Sequence, residues 1–298
     1  MAQGAPKRIN RAIELLEADQ ALYYDGPHTG HVLTYEQGKK DARTWADYIN
    51  VGMEHGAFDM TGLENYMRGL VDGGPTNSGH RTPTVIVEAP VNGIDGSNVA
   101  YNAWQFRQIL ARGVHGILLC QAESTDAVRE FVRGCRFPHH KAGATKLGGR
   151  GTRGRGSEPT AGPIWGIDQS EYFARCEPWP LNPQGELLLG VKIESPPGVE
   201  HCEDILSVPG LGFAELGPGD LGLSLGYTTL QRRPYPPEME AARAKVFAAC
   251  KKNKLAYLEG QRPDTIVAAL DEGVRVIAGH DQEVARLGRA HQKRTMPV

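Results

Sequence analysis

The sequence lacks the residue patterns that mark disulfide-bonded, zinc-stabilised and membrane-spanning proteins. It has five cysteines in 298 residues, an odd number without any C-x-x-C spacing, so we expect neither a disulfide framework nor a structural zinc site. No apolar run approaches the length of about 20 residues that crosses a bilayer, and residues 1–8 lack the apolar core of a signal peptide. These absences predict a soluble protein of the reducing cytoplasm.

An excess of charge of either sign is also missing. Lysine and arginine number 33 and the acidic residues 35, for a formal net charge of −2, which argues against a general nucleic-acid binder. Hydrophobic residues make up 40% and charged residues 23%, as in an ordinary globular chain. A chain of this length forms one large domain or two small ones, and either buries a sizeable core.

Short apolar runs alternate with segments of helical periodicity. The apolar runs predict strands at 21–24, 48–53, 84–89, 116–120, 187–194, 212–216, 255–258 and 274–278. The 3.6-residue periodicity predicts helices that include 101–112, 124–134, 198–207, 239–253 and 263–272. This alternation indicates a parallel sheet covered by helices. Eight strands fit a single closed (β/α)8 TIM barrel over residues 1–298, and an open doubly wound sheet is the alternative.

The segment 138–185 breaks this rhythm because it is rich in glycine, proline and arginine. Loops of this length inside a compact domain are usually functional or disordered. In a barrel the segment follows the fourth strand, and active sites of barrels lie at the carboxyl ends of the strands. We therefore expect a lid over that face, and a mobile surface loop is the alternative.

Charged residues stand at the carboxyl ends of two successive predicted strands. Lys192 and Glu194 share one face because successive strand residues point to opposite sides, and Asp220 follows the next strand after a Gly-Pro-Gly turn. Burying an unpaired carboxylate is costly, and a metal ion or a counter-charge removes that cost. Two carboxylates without nearby Cys or His ligands favour Mg²⁺, Mn²⁺ or Co²⁺. Pairing of the two acids with Arg or Lys is the alternative.

The segments IESPPGVEHCEDILSVPGL and GPGDLGLSLGY, which contain these acids, closely resemble the HpcH/HpaI aldolase family. This family comprises metal-dependent pyruvate aldolases related to citrate lyase β-chains. Residues 46–70, 136–156 and 274–289 extend the resemblance over most of the chain. It implies a (β/α)8 barrel whose last helix is exchanged between subunits, in a homo-oligomer that is a hexamer built as a trimer of dimers.

The resemblance also assigns residues to roles in a metal site. It implies that Glu194 and Asp220 hold a divalent cation on which pyruvate chelates, so that the metal stabilises an enolate. It implies that backbone N–H groups around the turn at 217–221 receive the substrate carboxylate. The residues of that turn assigned to substrate binding are Gly217, Pro218, Gly219 and Leu221.

The resemblance extends to three further residues. His55 matches a histidine that transfers a proton through water, and a structural histidine at the barrel rim is the alternative. Glu54 is expected to support the site or an interface rather than to react. Arg150 matches a loop arginine that contacts the substrate or the lid.

The chain departs from the family at three site positions. Where the family has an arginine at the end of the third strand, this chain has Glu88 or Ala89. Lys192 replaces a glutamine two residues before the metal-binding glutamate. Gly52 or Val51 stands where an aspartate often precedes the Glu-His pair.

The exchanges on the third and fifth strands compensate each other in charge. We hypothesise that Lys192 assumes the electrostatic role of the missing arginine or forms an ion pair with Glu88, although lysine lacks the planar fork of arginine. A Schiff base on Lys192 is a further alternative, but the retained pair of acids favours metal catalysis.

The resemblance predicts a divalent-metal-dependent lyase of small molecules. We expect reversible aldol cleavage of a 4-hydroxy-2-oxo acid to pyruvate, or a related 2-oxo acid, and an aldehyde. One alternative is related enolate chemistry in a decarboxylase, a hydratase or an acyl-CoA lyase. The other is a binding protein for 2-oxo acids without turnover.

Overall fold

The computed structural model describes residues 6–298, so residues 1–5 of the predicted domain lie outside it. Within this range, eight parallel strands close into one barrel. The strand Gly116–Cys120 pairs with Leu187–Ile193, and the first strand, Leu22–Asp25, pairs with the last, Val276–Ala278. The barrel strands are β1 (Leu22–Asp25), β2 (Tyr48–Gly52), β3 (Thr84–Asn92), β4 (Gly116–Cys120), β6 (Leu187–Ile193), β7 (Phe213–Leu216), β8 (Ala256–Gly260) and β9 (Val276–Ala278). The short strand β5 (Pro178–Trp179) pairs with the start of β6.

Thirteen helices in the described range surround the barrel or close one of its ends. They are α1 (Arg11–Glu17), α2 (Tyr35–Asp41), α3 (Met60–Gly73), α4 (Gly96–Asn102), α5 (Trp104–Leu110), α6 (Thr125–Cys135), α7 (Glu158–Trp165), α8 (Gln169–Arg175), α9 (Pro196–Ile205), α10 (Pro218–Ser224), α11 (Pro237–Asn253), α12 (Ile266–Glu272) and α13 (Gln282–His291). The predicted (β/α)8 barrel is confirmed, and the open sheet is excluded.

The capping residues in the sequence explain where several helices begin. Ser124 accepts a hydrogen bond from the backbone N–H of Ala127 and starts α6, and Ser195 does the same for α9. Such side chains satisfy N–H groups that have no partner inside the helix. The helix predicted at 101–112 is instead two helices, α4 and α5, because Asp95 caps an earlier start and the chain breaks at Ala103.

The half of the barrel interior near the amino ends of the strands is apolar, and we call it the lower half. It contains the buried side chains of Leu22, Ile86, Leu188, Phe213 and Val276. Helix α1 closes this end, because Ala12, Ile13 and Leu15 belong to the same cluster. A Cβ on Gly190 would meet the ring of Phe213 at 2.4 Å, so that the glycine makes room for the ring.

The segment 138–185 lies at the amino end of the barrel, so its expected position over the carboxyl end is wrong. The indole N–H of Trp165 donates to the carbonyl of Gly113 at 2.9 Å, and Arg81 donates to the carbonyl of Ile164 at 3.1 Å. Gly113 precedes β4 and Arg81 precedes β3. The physical reason is α6, which follows β4 and returns the chain to the amino end before this segment begins.

Helix α13 packs on the barrel of its own chain. A Cβ on Gly288 would meet the hydroxyl of Tyr23 at 2.0 Å, and Arg289 donates to the carbonyl of Trp45 at 2.8 Å. Exchange of this helix between subunits therefore stays a prediction. All five cysteines are buried and free. Among the described helices, none combines the length and the apolar character that a membrane span requires.

Candidate active site

The half of the barrel interior near the carboxyl ends of the strands is polar, and we call it the upper half. It contains Asn50 on β2, Glu88 on β3, Lys192 on β6 and Glu215 on β7, all of them buried. Parallel pairing aligns Gly52 with Glu88 and Lys192 with Glu215, and the two-residue alternation of each strand turns these side chains inward. The upper half therefore contains several charges that must compensate one another.

Lys192 is held between two carboxylates that come from the neighbouring strands β2 and β3, across the barrel from β6. Its Nζ lies 2.8 Å from Oε2 of Glu54 and 3.3 Å from Oε2 of Glu88. Burial lowers the pKa of a lysine, but the neighbouring carboxylates, including Glu215, outweigh this effect and raise the pKa of Lys192. The ion pair hypothesised between Lys192 and Glu88 is therefore formed, and Glu54 is the nearer partner.

Glu88 is paired with a histidine and an amide through one oxygen and with Lys192 through the other. Its Oε1 lies 2.6 Å from Nδ1 of His28 and accepts a hydrogen bond from the side-chain amide of Asn50 at 2.9 Å. Burial raises the pKa of this carboxyl group, but the hydrogen bond with His28 and the charge of Lys192 lower it to about 2. The same hydrogen bond raises the pKa of His28. Ala89, the alternative at this position, packs outside the barrel instead.

Glu194 lies at the end of β6 against two backbone segments. Its Oε1 accepts a hydrogen bond from the backbone N–H of Gln121 at 2.7 Å, and a Cβ on Gly217 would meet its Oε2 at 2.2 Å. Gln121 has a φ of 48°, a conformation that residues other than glycine rarely adopt. Burial raises the pKa of Glu194 to about 8 despite the charge of Lys192, so this carboxylate needs a further cation to stay ionised at neutral pH.

Glu54, His55 and Asp220 form a second group beside Glu194. Nε2 of His55 lies 3.6 Å from Glu54 and 3.8 Å from Asp220. One ligand atom from each of these three residues lies within 4.8 Å of the others, and the same holds for Glu54, Cys120 and Glu194. Oε1 of Glu54 is buried and has no hydrogen-bond partner among residues 6–298.

These residues fit a divalent metal ion. The acids provide carboxylate oxygens, which Mg²⁺ and Mn²⁺ prefer over softer ligands. The unpartnered oxygen of Glu54 and the raised pKa of Glu194 both indicate more acid than Lys192 compensates. The residues that would hold the cation are Glu194 and Asp220, with Glu54 beside them.

A cavity of about 710 Å³ opens at the same end of the barrel. Tyr24, His28 and Pro218 line it on the side of the acids, and Arg233 and Tyr235 line it on the side of the loop after α10. Pro218 stands two residues before Asp220, so the cavity reaches the turn that carries this acid. The volume suffices for a small-molecule substrate.

Four predicted site residues have positions or bonds that do not fit their expected roles. Arg150 is exposed, and its carbonyl accepts a hydrogen bond from Arg133 in the last turn of α6, at the amino end of the barrel. The side chain of Leu221 is buried and its N–H donates to the carbonyl of Gly217. Pro218 has no N–H to offer a substrate. The N–H of Gly217 donates to the carbonyl of Ile193 at 3.0 Å. Of the four turn residues assigned to substrate binding, Gly219 alone therefore has an N–H without a partner among residues 6–298.

Sequence reasoning missed or undervalued three residues of the upper half. His28 follows the carboxyl end of β1, a location that favours functional residues in a barrel. Glu215 interrupts an apolar strand, which is a signal that could have found it. Glu54 was expected in a supporting position, but it contacts both Lys192 and His55.

A (β/α)8 barrel with a cluster of acids at the carboxyl ends of its strands is typical of metal-dependent barrel enzymes. The chain belongs to the HpcH/HpaI aldolase/citrate lyase family, whose model matches residues 96–282. It is therefore an aldolase-type lyase of a divalent-metal-dependent family, and its substrates are small molecules.

Individual relatives are distant. The chain is 24% identical to a hydroxypyruvate/pyruvate aldolase of Roseobacter denitrificans over 78% of this chain and 76% of that protein. A family protein from Burkholderia cenocepacia J2315 shares the fold with a TM-score of 0.68 at 21% identity, over 95% of this chain and 96% of the other. A citrate lyase beta subunit from M. tuberculosis, solved with oxaloacetate and magnesium, has a TM-score of 0.53 at 13% identity, over 93% and 99%.

Proposed function

We propose that the protein cleaves and forms the carbon–carbon bond of a 4-hydroxy-2-oxo acid, with pyruvate or hydroxypyruvate as the 2-oxo acid product and an aldehyde as the other. The observation that carries this proposal is the excess of buried acid beside a substrate-sized cavity at the carboxyl end of the barrel. The aldolase named among its relatives supports the choice of 2-oxo acid.

In this proposal, Glu194 and Asp220 would hold a divalent cation. Because the donors are oxygens, the cation is Mg²⁺, Mn²⁺ or Co²⁺. The cation supplies Lewis-acid stabilisation for the negative charge that develops on the substrate's oxygen atoms. The N–H of Gly219 donates a hydrogen bond to the substrate carboxylate, because the N–H groups in the first turn of α10 have no partner inside the helix. Gly217 leaves the space that the side chain of Glu194 occupies.

Lys192 acts as a fixed positive charge rather than as a nucleophile. A Schiff base requires the neutral amine, but both carboxylates beside Lys192 favour its protonated form. These contacts also hold the Nζ of Lys192 between Glu54 and Glu88. Lys192 therefore positions the two acids and does not contact the substrate. Glu88 holds Lys192 and His28 in place.

His55 moves a proton through water between the solvent and the 2-oxo acid. Its side chain is about half exposed, at 48%, and it lies beside Asp220, so water reaches it easily. Arg150 has no part in the reaction, because it lies at the other end of the barrel.

The proposal is tested by the exchange of pyruvate methyl protons for deuterium, followed by NMR with Mg²⁺, Mn²⁺ or Co²⁺ and with a chelator. We expect exchange that depends on the metal and that falls at least a hundredfold in Glu194→Gln and in Asp220→Asn. The control is Asp204→Asn, which changes an exposed acid of α9. Absence of exchange with every metal in the folded protein would contradict the proposal.

Two other expectations concern the whole protein rather than the site. A homo-oligomer, built as a trimer of dimers, and a location in the cytoplasm remain predictions from the sequence. Size-exclusion chromatography with light scattering tests the assembly, which we expect at six chains.

A further inference from the structure

Two histidines lie beside the acids at the polar end of the barrel, and their surroundings differ. Nδ1 of His28 lies 2.6 Å from the buried carboxylate of Glu88. Nε2 of His55 has only longer contacts, at 3.6 Å to Glu54 and 3.8 Å to Asp220. A histidine that transfers protons directly is usually oriented by a hydrogen bond to a third group. Of these two, His28 has such a bond.

A third histidine, His280, lines the same cavity and pairs with Asp25. The side chain of Asp25 is 39% exposed, whereas that of Glu88 is 1% exposed. His28 is therefore the cavity histidine that a buried carboxylate orients.

The carboxylate that orients His28 is itself fixed. Glu88 is fully buried, accepts a hydrogen bond from Asn50 at 2.9 Å and lies 3.3 Å from Nζ of Lys192. Because these contacts keep Glu88 ionised, Nδ1 of His28 is the donor and its proton stays on that side. Nε2 is then the nitrogen that can accept a proton, and its neighbour is the hydroxyl of Tyr24 at 3.3 Å.

His28 is also within reach of a substrate. Its side chain is 43% exposed, although its partner Glu88 is buried. Together with Tyr24 and Pro218 it lines the cavity of about 710 Å³, and Pro218 belongs to the turn that carries Asp220. A molecule bound at the acids and extending into this cavity would pass His28.

From this geometry we propose that His28, oriented by Glu88, is the general base that takes the proton from the substrate hydroxyl during carbon–carbon cleavage. The inference rests on the proposed function and names the group that acts on the aldehyde portion of the substrate. His55 keeps its proposed role, the transfer of a proton to and from the 2-oxo acid portion.

The step balances within the chain and the substrate. The hydroxyl proton moves to Nε2 of His28, and the electrons of the O–H bond form the second bond of the aldehyde carbonyl. The bond between the hydroxyl-bearing carbon and the carbon next to the keto group breaks, and its electron pair forms the enolate of the 2-oxo acid. In the reverse direction, the imidazolium returns the proton to the new alkoxide.

The base must be neutral in cleavage, so the rate falls as the pH drops through the pKa of His28. Four groups that carry charge or titrate face this ring: Glu88 from β3, Tyr24 from β1, Lys192 from β6 and Glu215 from β7. The hydrogen bond with Glu88 is the largest influence, and it raises the pKa. Glu88→Gln should therefore move the acidic limb of the pH–rate profile of cleavage to lower pH.

The test compares two reactions of the Mn²⁺-loaded protein with pyruvate: methyl-proton exchange, and condensation with glycolaldehyde, glyoxylate or benzaldehyde together with cleavage of the products. In His28→Gln we expect exchange within about threefold of the wild type, but condensation and cleavage reduced about a hundredfold or more. The matched control is His291→Gln, which breaks a histidine–carboxylate pair of 2.7 Å with Asp271 on the outer helices and should change neither reaction.

The outcomes separate the two proposals. If the wild type shows no metal-dependent exchange, the proposed function fails, and this assignment fails with it. If the wild type exchanges but neither forms nor cleaves a hydroxy acid with any of the aldehydes, the role of His28 is contradicted. It is also contradicted if His28→Gln cleaves normally, if it loses exchange and cleavage equally while still folded, or if Glu88→Gln leaves the pH profile unmoved.

Discussion

The lower and upper halves of the barrel interior are built from the same eight strands but from opposite kinds of side chain. In the lower half, Leu188 and Phe213 pack against apolar neighbours and helix α1. In the upper half, Glu88 and Lys192 are just as buried. Apolar burial stabilises the fold, whereas buried charges do so only if they are paired. The lower half thus stabilises the fold, and the site in the upper half depends on that stability.

The largest expected effect comes from removing the one lysine of the upper half. Lys192→Met leaves the carboxylates of Glu54 and Glu88 buried without their cation, which should cost about 4 kcal/mol of unfolding free energy at neutral pH. Urea unfolding measures this loss. The double variant Lys192→Met/Glu88→Gln should regain part of it, and Lys252→Met, on an exposed helix face, should change little. Equal stability of Lys192→Met and wild type would contradict the pairing described here.

A cavity in the lower half should cost stability but not chemistry. Leu188→Ala removes a fully buried side chain, and we expect a loss of about 3 kcal/mol from the apolar contacts and the void. Pyruvate exchange per folded molecule should stay within about twofold of the wild type. Leu223→Ala, at a leucine that is 62% exposed, is the control for stability. A large loss of exchange in folded Leu188→Ala would mean that the two halves are not separable.

Two acids of the upper half should respond to pH in opposite ways. The pKa of Glu88 is lowered to about 2 by His28 and Lys192 against the effect of burial, so its contribution is present above about pH 4.5 and is lost as the pH falls towards 2. Burial raises the pKa of Glu215 to about 7, so its contribution is greatest below about pH 4.5 and is lost as the pH rises from there to about 7.

Metal-free unfolding of Glu88→Gln and Glu215→Gln between pH 5 and pH 8 measures this contrast. Relative to the wild type, Glu215→Gln should gain about 2 kcal/mol over this interval, because the wild type must ionise a buried acid. Glu88→Gln should be less stable than the wild type throughout this interval, because Glu88 is ionised at every pH in it. This deficit should shrink as the pH rises, because the variant lacks the hydrogen bond that raises the pKa of His28. A difference between Glu215→Gln and the wild type that does not change with pH would contradict the raised pKa of Glu215.

The smallest effect is expected outside both halves. Arg150→Ala changes an exposed side chain at the amino end of the barrel, so we expect a change below about 0.5 kcal/mol in stability and no change in pyruvate exchange. A strong loss of exchange would place the loop of residues 138–185 at the active site after all.

The strands of both halves could be predicted from the sequence, because apolar runs and two-residue alternation are local signals. The acids Glu194 and Asp220 could be found in the same way, since each follows the carboxyl end of a strand. The partners of Lys192 could not be chosen, because Glu54 and Glu88 reach it from distant parts of the chain. The role of His28 could not be predicted for the same reason, because its carboxylate partner, Glu88, is 60 residues away in sequence.

The predicted position of residues 138–185 was wrong for a different reason. Its composition indicated a long loop, but composition does not say at which end of a barrel a loop lies. That depends on α6, which carries the chain to the amino end, and on contacts such as that of Trp165 with Gly113. Packing of this kind joins segments that are far apart in sequence, and no local pattern encodes it.

The most direct test of the central claim, that the upper half of the barrel holds a divalent cation at Glu194 and Asp220, is a titration with Mn²⁺ followed by electron paramagnetic resonance. We predict that each wild-type chain removes one equivalent of Mn²⁺ from the free-ion signal, and that Glu194→Gln and Asp220→Asn remove much less. Binding of Mn²⁺ that is unchanged in both variants, or absent from the folded wild type, would contradict the account.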